Sequence, residues 1–322
     1  MSRLFPVFFF LVLHSIARLS LWPQAPLLNE DAALILEGIE SFASKGIFHW
    51  FYHGYGPSII RPWQLIWFGA IGHLTHSPQG FLIAQIALLS VAQWMLFLTL
   101  RPGLGYPGAF LAALLPGLSR GGAESTLWLS CQHDLFLLLF VSASLFFAIH
   151  SFQSTCSIKS VLCTLAAYLF MICAFYSNEK AVVLPFGCLS LLFIWGREKY
   201  QSFWRQFLLL GTGYMVIIGF YFGLRHVVLG KFVGGYTNQL FGNEFFNLKT
   251  IANWSASTIT SLLWQPREFA VLTLIGCAIL ASFTLLFVTY ERNFSRISTV
   301  CFIVITHLVC TLPTAQFALS PF

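Results

Sequence analysis

The chain opens with MSRLFPVFFFLVLHSIARLSLWPQAPLLNED, residues 1–31, in which an apolar run from Leu4 to Leu21 precedes the acidic pair Glu30-Asp31. About 20 mostly apolar residues suffice to cross a bilayer as a helix. Two adjacent acids at the mouth of such a helix are costly to place, and charged residues at membrane depth are functional by default. The pattern therefore predicts a membrane protein with chemistry at a membrane surface.

The first apolar run is interpreted as a signal-anchor helix. Arg3 before it favours a cytoplasmic N-terminus. The alternative is a cleaved signal peptide, but no small-x-small cleavage site precedes Pro23 or Pro26, and His14 and Arg18 interrupt the run.

Composition agrees with a membrane protein. The 322 residues are 57% hydrophobic and only 9% charged, whereas soluble domains are about 25% charged. The apolar runs are long and lack alternation, which predicts spanning helices rather than a barrel. The net charge of +6 follows from the positive-inside rule and does not indicate nucleic-acid binding. The eight cysteines form no CxxC and no zinc spacing, so they are interpreted as buried small side chains.

The predicted fold class is all-α, a polytopic membrane protein with about nine spans. The chain is treated as one transmembrane domain, 1–322, with two long outer loops at 23–79 and 224–268. The spans are expected at 4–21, 80–100, 106–118, 134–150, 160–176, 181–195, 207–223, 269–289 and 297–313.

This topology places the bases as the positive-inside rule requires. The cytoplasmic side carries two acids, Glu198 and Glu291, and the other nine of the eleven acids fall outside or at outer helix ends. The bases on the cytoplasmic side are Arg3, Arg101, Lys159, Arg197, Lys199, Arg205, Arg292 and Arg296.

The first outer loop is predicted to be structured. Apolar residues at helical spacing predict a short amphipathic helix at 32–42, Gly54 to Pro57 predicts a turn, and 61–76 is expected to be an interfacial helix rich in Trp and Phe. In the second loop, 250–264 is a further candidate for an interfacial helix, and Asn253-Trp254-Ser255 fits the N-glycosylation pattern.

Charged residues collect on the predicted outer face. A carboxylate there could deprotonate an acceptor hydroxyl, while Arg and Lys could bind the phosphate of a lipid-linked donor. The alternative is that these charges pair only with one another and hold helices together. The residues are Glu30, Asp31, Arg61, Glu124, Asp134, Glu179, Lys180 and Arg225.

Five motifs occur in a characteristic order between about residues 28 and 230. They are Asn29-Glu30-Asp31; Ile60-Arg61-Pro62-Trp63; Glu124-Ser125-Thr126-Leu127-Trp128 with His133-Asp134-Leu135; Asn178-Glu179-Lys180-Ala181-Val182-Val183-Leu184-Pro185; and Tyr221-Phe222-Gly223-Leu224-Arg225.

Their order resembles that of the GT-C superfamily of polyprenyl-phosphate-sugar-dependent glycosyltransferases. The chain is most similar to the transmembrane O-mannosyltransferases with tetratricopeptide repeats and their bacterial relatives, although no 34-residue repeat is visible here. The Lys-Glu of the family pattern is Asn178-Glu179 in this chain, with Lys180 one place later. One residue turns a helix by about 100°, so Lys180 is not expected to point as the family's lysine does.

The resemblance implies the roles of the site residues. Asp31 would be the general base with Glu30 beside it, Arg61, Lys180 and Arg225 would contact the donor phosphate or hold the structure, and Glu124, Asp134 and Glu179 would be polar site residues. The donor would be a polyprenyl-phosphate sugar and the acceptor a protein or glycan. The enzyme would lie in a bacterial inner membrane, or in the endoplasmic reticulum of a eukaryote, with its active face non-cytoplasmic.

Two alternatives accompany this hypothesis. The chain could be a non-catalytic binder or transporter of lipid-linked or small anionic substrates, or an inactive scaffold or fragment.

No resident cofactor is expected, and metal dependence is open. His49 and His53 have a metal-ligand spacing in a window expected to be irregular, and Cys131-Gln132-His133-Asp134 has ligand types in a row, but both are weak metal candidates.

Overall fold

A computed structural model describes residues 4–19, 29–46, 48–53, 60–118, 126–154, 156–196 and 203–230. Within these ranges the regular structure is entirely helical. The helices are α1 (Phe5–Leu19), α2 (Asn29–Ser44), α3 (His49–Tyr52), α4 (Pro62–Leu74), α5 (Pro78–Leu118), α6 (His133–Gln153), α7 (Ser157–Phe175), α8 (Leu184–Gly196) and α9 (Phe203–Leu229), with 3₁₀ helices at Leu129–Gln132 and Glu179–Val183.

Four helical segments are long and apolar enough to cross a membrane, namely Pro78–Leu118, Leu129–Gln153, Ser157–Phe175 and Phe203–Leu229. Helix α7 also carries exposed apolar side chains on one face. Contact with water would be unfavourable for these side chains, whereas contact with lipid would be favourable. These side chains are Ile158, Val161, Leu162, Leu165 and Leu169. The protein is therefore membrane-embedded and helical.

Helix α5 folds back on itself at Gly105. The Gln93 side-chain amide donates to the Leu114 carbonyl at 3.2 Å, across 21 residues. In a straight helix these positions would be about 30 Å apart. Gly105 has φ of +68°, a conformation that glycine adopts without steric cost. The element is thus a helical hairpin with arms 78–104 and 106–118, which correspond to the predicted second and third spans.

Helices α2 and α4 pack closely because glycines meet at their crossing. A Cβ on Gly38 would lie 2.9 Å from the Leu65 carbonyl oxygen, and a Cβ on Gly69 would lie 2.8 Å from the Gly38 carbonyl oxygen. Small residues let helix backbones approach in this way. Helix α4 begins with Pro62 in its first turn, where the missing N–H costs nothing.

Helices α6, α7 and α9 enclose the main core, and one serine links all three. The Ser144 hydroxyl donates to the Ala167 carbonyl at 2.7 Å and lies 2.8 Å from the Tyr214 hydroxyl. A hydroxyl buried in an apolar core needs such partners. Phe175 and Tyr221 pack nearby with ring centroids 4.9 Å apart.

Several predicted features have described counterparts, and others lie outside the described residues. Helices expected at 32–42 and 61–76 correspond to α2 and α4, and the interfacial location of the second stays a prediction. The window around His49 and His53, expected to be irregular, contains helix α3, so that expectation was wrong. Outside the described residues lie the turn at 54–57, residues 231–268 of the second loop, and the spans at 269–289 and 297–313.

Candidate functional site

The ends of several elements converge on one polar network. It joins the first turn of α2, the residue before α4, both 3₁₀ helices, the start of α6 and the last turns of α9. These segments are separated by up to almost two hundred residues, so only the fold brings them together. The network consists of Asp31, Arg61, Gln64, Ser130, Gln132, His133, Asp134, Asn178, Glu179, Tyr221 and Arg225.

Two arginines share one carboxylate at the centre of this network. Arg61 Nη2 donates to Glu179 Oε2 at 2.8 Å, and Arg225 Nη1 lies 3.5 Å from Glu179 Oε1. Arg225 is 2% exposed, and its Nη1 also donates to the Tyr221 hydroxyl at 3.1 Å. These three charged residues, the Arg61–Glu179–Arg225 triad, carry one net positive charge.

The triad keeps the Glu179 carboxyl ionised. Burial alone would raise the pKa of this group, but the charge and hydrogen bond of Arg61 and the charge of Arg225 outweigh burial and lower the pKa below its ordinary value. Although part of the side chain reaches the surface, the carboxylate oxygens face the guanidinium groups. The triad therefore holds two arginine cations in place at neutral pH, of which Arg61, 15% exposed, is the more accessible.

Asp31 is fully buried, with 1% of its surface exposed. Its Oδ1 accepts the backbone N–H of Ser130 at 2.7 Å. Residue 130 lies in the 3₁₀ helix Leu129–Gln132, whose first N–H groups have no partner within the helix. The carboxylate thus supplies an acceptor for that segment and ties α2 to it.

A second pair of contacts surrounds His133 and Asp134 at the start of α6. The Asn178 side-chain amide donates to Asp134 Oδ1 at 2.7 Å, and Asp134 lies in the first helical turn, where a negative charge is favoured. His133 Nε2 lies 3.8 Å from Asp134 Oδ1, and Arg61 Nη1 lies 3.5 Å from each of the two ring nitrogens.

The structure brings together five of the eight predicted site residues. Asp31, Arg61, Asp134, Glu179 and Arg225 all belong to the network. The backbones of Glu30 and Lys180 lie in described helices, but their side chains are outside the description, as is all of Glu124. The roles predicted for these residues stay predictions.

Residue-type reasoning missed the amides that hold the network in place. Gln64 donates from Nε2 to the Ser130 carbonyl at 2.7 Å, and Gln132 donates from Nε2 to the Gln64 carbonyl at 2.9 Å. Both side chains are buried. A buried side-chain amide requires hydrogen-bond partners. Glutamines within apolar stretches of this chain are therefore the sequence signal that could have pointed to Gln64 and Gln132.

A separate buried polar cluster joins α1 to the α5 hairpin. His14 Nε2 lies 2.7 Å from Gln93 Oε1, and Arg18 Nη2 donates to the Gly117 carbonyl at 2.5 Å. His14 is 0% and Arg18 6% exposed. The two residues that interrupt the first apolar run are therefore packing contacts with the neighbouring hairpin.

The two sequence patterns with metal-ligand types have other contacts here. The rings of His49 and His53 stack with centroids 4.0 Å apart, and His53 Nδ1 lies 3.1 Å from the His49 carbonyl. In the Cys131–Asp134 stretch, the Gln132 and Asp134 side chains are hydrogen-bonded within the network. Among the described residues, no group of three or more His, Cys, Asp or Glu side chains is arranged to hold a metal ion.

Comparisons of the chain with protein-family models, curated proteins and solved structures found no match.

Proposed function

We propose that the protein is a multi-pass membrane glycosyltransferase of the GT-C type. It moves a sugar, a hexose such as mannose, from a polyprenyl-phosphate carrier to a protein or glycan acceptor on the non-cytoplasmic face. The full architecture in this proposal is the nine-span topology predicted from the sequence. The observation that carries the proposal is the Arg61–Glu179–Arg225 triad.

The triad suits a leaving phosphate. When an acceptor oxygen attacks the anomeric carbon, the bond from that carbon to the phosphate oxygen breaks and negative charge grows on the polyprenyl phosphate. Guanidinium groups neutralise such charge by hydrogen bonding to phosphate oxygens. Arg61 and Arg225 are already oriented by Glu179, so little reorganisation is needed when the charge develops.

The position of the triad also suits a lipid-linked donor. Arg225 lies in the last turns of α9, a helix apolar enough to span a membrane, and Glu179 follows α7, another such helix. A carrier with its isoprenoid chain among the lipids would hold its phosphate at this depth. Tyr52 on α3 is exposed and is available to pack against sugar or isoprenoid.

The decisive experiment supplies radiolabelled polyprenyl-phosphate sugar to membranes that contain the protein and measures labelled glycosylated product. We expect R225K to raise the KM for the donor about tenfold, because lysine cannot reproduce the fork of arginine hydrogen bonds. R205K is the matched control, since Arg205 is exposed at the other end of the same helix. Equal donor KM values for the two variants would remove the donor-phosphate role of Arg225.

A non-catalytic binder or transporter of lipid-linked anions is the second candidate. It is favoured by one observation: Asp31 is buried against Ser130 and both arginines already contact Glu179, so the acids pair rather than act. Uptake or flipping of the labelled donor without a glycosylated product would support this function over the transferase.

A further inference from the structure

Two hydrogen bonds connect Asp31 to an imidazole through the backbone of residue 130, and a third holds that backbone in place. Asp31 Oδ1 accepts the Ser130 N–H at 2.7 Å, and the Ser130 carbonyl lies 2.9 Å from His133 Nδ1. Gln64 Nε2 donates to that same carbonyl at 2.7 Å. The backbone of Ser130 is thus held at its N–H by Asp31 and at its carbonyl by Gln64, and it fixes the ring of His133 relative to Asp31.

This arrangement selects one tautomer of His133. A carbonyl oxygen only accepts, so the 2.9 Å contact requires a hydrogen on Nδ1. The contact of Arg61 Nη1 with Nδ1 is much longer, at 3.5 Å, and does not compete with it. A neutral imidazole with its hydrogen on Nδ1 carries its basic lone pair on Nε2.

We propose that His133, rather than Asp31, accepts the proton of the acceptor hydroxyl, and that Asp31 is a positioning residue that acts through Ser130. The inference rests on the proposed transferase function. Asp31 is 1% exposed and its carboxylate binds backbone, whereas His133 lies beside the triad, with Nε2 3.5 Å from Arg61 Nη1.

The charges around His133 fit a group that gains a proton during the reaction. Asp134, on the same helix, lies 3.8 Å from Nε2 and stabilises an imidazolium. Arg61, before α4, opposes that charge, and Glu179 on the second 3₁₀ helix offsets Arg61 through their 2.8 Å ion pair. The ring therefore lies between a carboxylate that favours its protonated form and a guanidinium that opposes it.

The proposed step balances as follows. The O–H bond of the acceptor breaks and its proton moves to His133 Nε2, while the oxygen forms a bond to the anomeric carbon of the sugar. The bond between that carbon and the phosphate oxygen breaks, and its electron pair leaves with the polyprenyl phosphate beside Arg61 and Arg225. The imidazolium then returns its proton to water.

The test is the pH dependence of kcat/KM for sugar transfer in the full-length protein in membranes. In the wild type, transfer should weaken on the acid side as the imidazole becomes protonated. H133Q should lower kcat/KM by about 100-fold or more and remove that acid limb. H53Q is the matched control, because His53 is exposed immediately after α3 and outside the network, and it should match the wild type.

Asp31 is tested by comparing two substitutions. D31N keeps an oxygen that can accept the Ser130 N–H, so it should keep the acid limb and lose less than about tenfold in kcat/KM. D31A removes the acceptor and should lose more. An acid limb that persists in H133Q and disappears in D31N overturns the assignment. Absence of transfer in the wild type overturns the proposed function itself, so the two failures are distinct.

Discussion

Arg61 and Glu179, 118 positions apart in the chain, form an ion pair in which Nη2 lies 2.8 Å from Oε2. Arg61 immediately precedes α4, and Glu179 begins the 3₁₀ helix between α7 and α8. The pair therefore ties the segment that follows the first helix to the helical core. Because Glu179 also faces the buried Arg225, its loss affects two cations.

Replacing Glu179 with Gln should destabilise the protein by about 3 kcal/mol, because it leaves two guanidinium groups without their anionic partner in a largely buried site. The free energy of unfolding can be measured by equilibrium denaturation in mixed micelles. The matched control is E40Q on α2, where the carboxylate is exposed, and its effect should stay within about 0.5 kcal/mol. Similar losses in both variants would contradict the importance of the triad.

The same carboxylate should make stability depend on pH. Its pKa in the folded protein lies below the ordinary value of 4.5, so its contribution is complete above the unfolded-state value and is lost as pH falls through the folded-state value. We expect the free energy of unfolding of the wild type to decrease on acidification below about pH 4.5 more steeply than that of E179Q. Parallel curves for the two proteins would contradict this expectation.

The crossing of α2 and α4 should not tolerate a methyl group. A Cβ on Gly69 would meet the Gly38 carbonyl oxygen at 2.8 Å, so G69A should cost about 2 kcal/mol through overpacking. A Cβ on Gly219 meets nothing within 4 Å, and G219A on the exposed face of α9 should be neutral or stabilising by up to about 1 kcal/mol. Thermal unfolding of the purified variants compares them directly, and equal midpoints would exclude close packing at Gly69.

The contact between His14 and Gln93, 2.7 Å apart, should appear as an energetic coupling. In a double-mutant cycle with H14L and Q93L, we expect a coupling of about 0.6–1.7 kcal/mol, the range for side-chain hydrogen bonds between membrane helices. A cycle that pairs H14L with T212V on α9 serves as the control and should be additive. Additivity in the first cycle would show that the contact contributes nothing to stability.

The helices were predictable from the sequence because membrane spans are specified by long local runs of apolar residues. Helix α7 at Ser157–Phe175 and the arms of α5 are close to their predicted limits. The extension of α9 to Leu229, beyond the predicted end at 223, was not expected. Arg225 lies in that extension. A charged residue usually marks the end of an apolar run, but here the helix continues because the Arg225 guanidinium contacts Glu179 and donates to the Tyr221 hydroxyl.

The charged residues of the candidate site were predictable from the sequence, but the groups to which they hydrogen-bond were not. Arg61, Glu179 and Arg225 stand out because charges are rare in this chain. That Asp31 would face a backbone N–H of Ser130 could not be inferred, because any peptide group can supply such a donor and its position depends on how the loops close. The tautomer of His133 depends on the same loop geometry and was hidden for the same reason.

The reversal of α5 at Gly105 has a consequence for biogenesis. The Leu114 carbonyl on the arm 106–118 accepts from Gln93 on the longer arm, and the Gln93 amide would lose this acceptor if the two arms entered the lipid separately. The two arms should therefore leave the translocon as one unit, and a glycine at the bend lets the nascent chain reverse direction while it is still being synthesised.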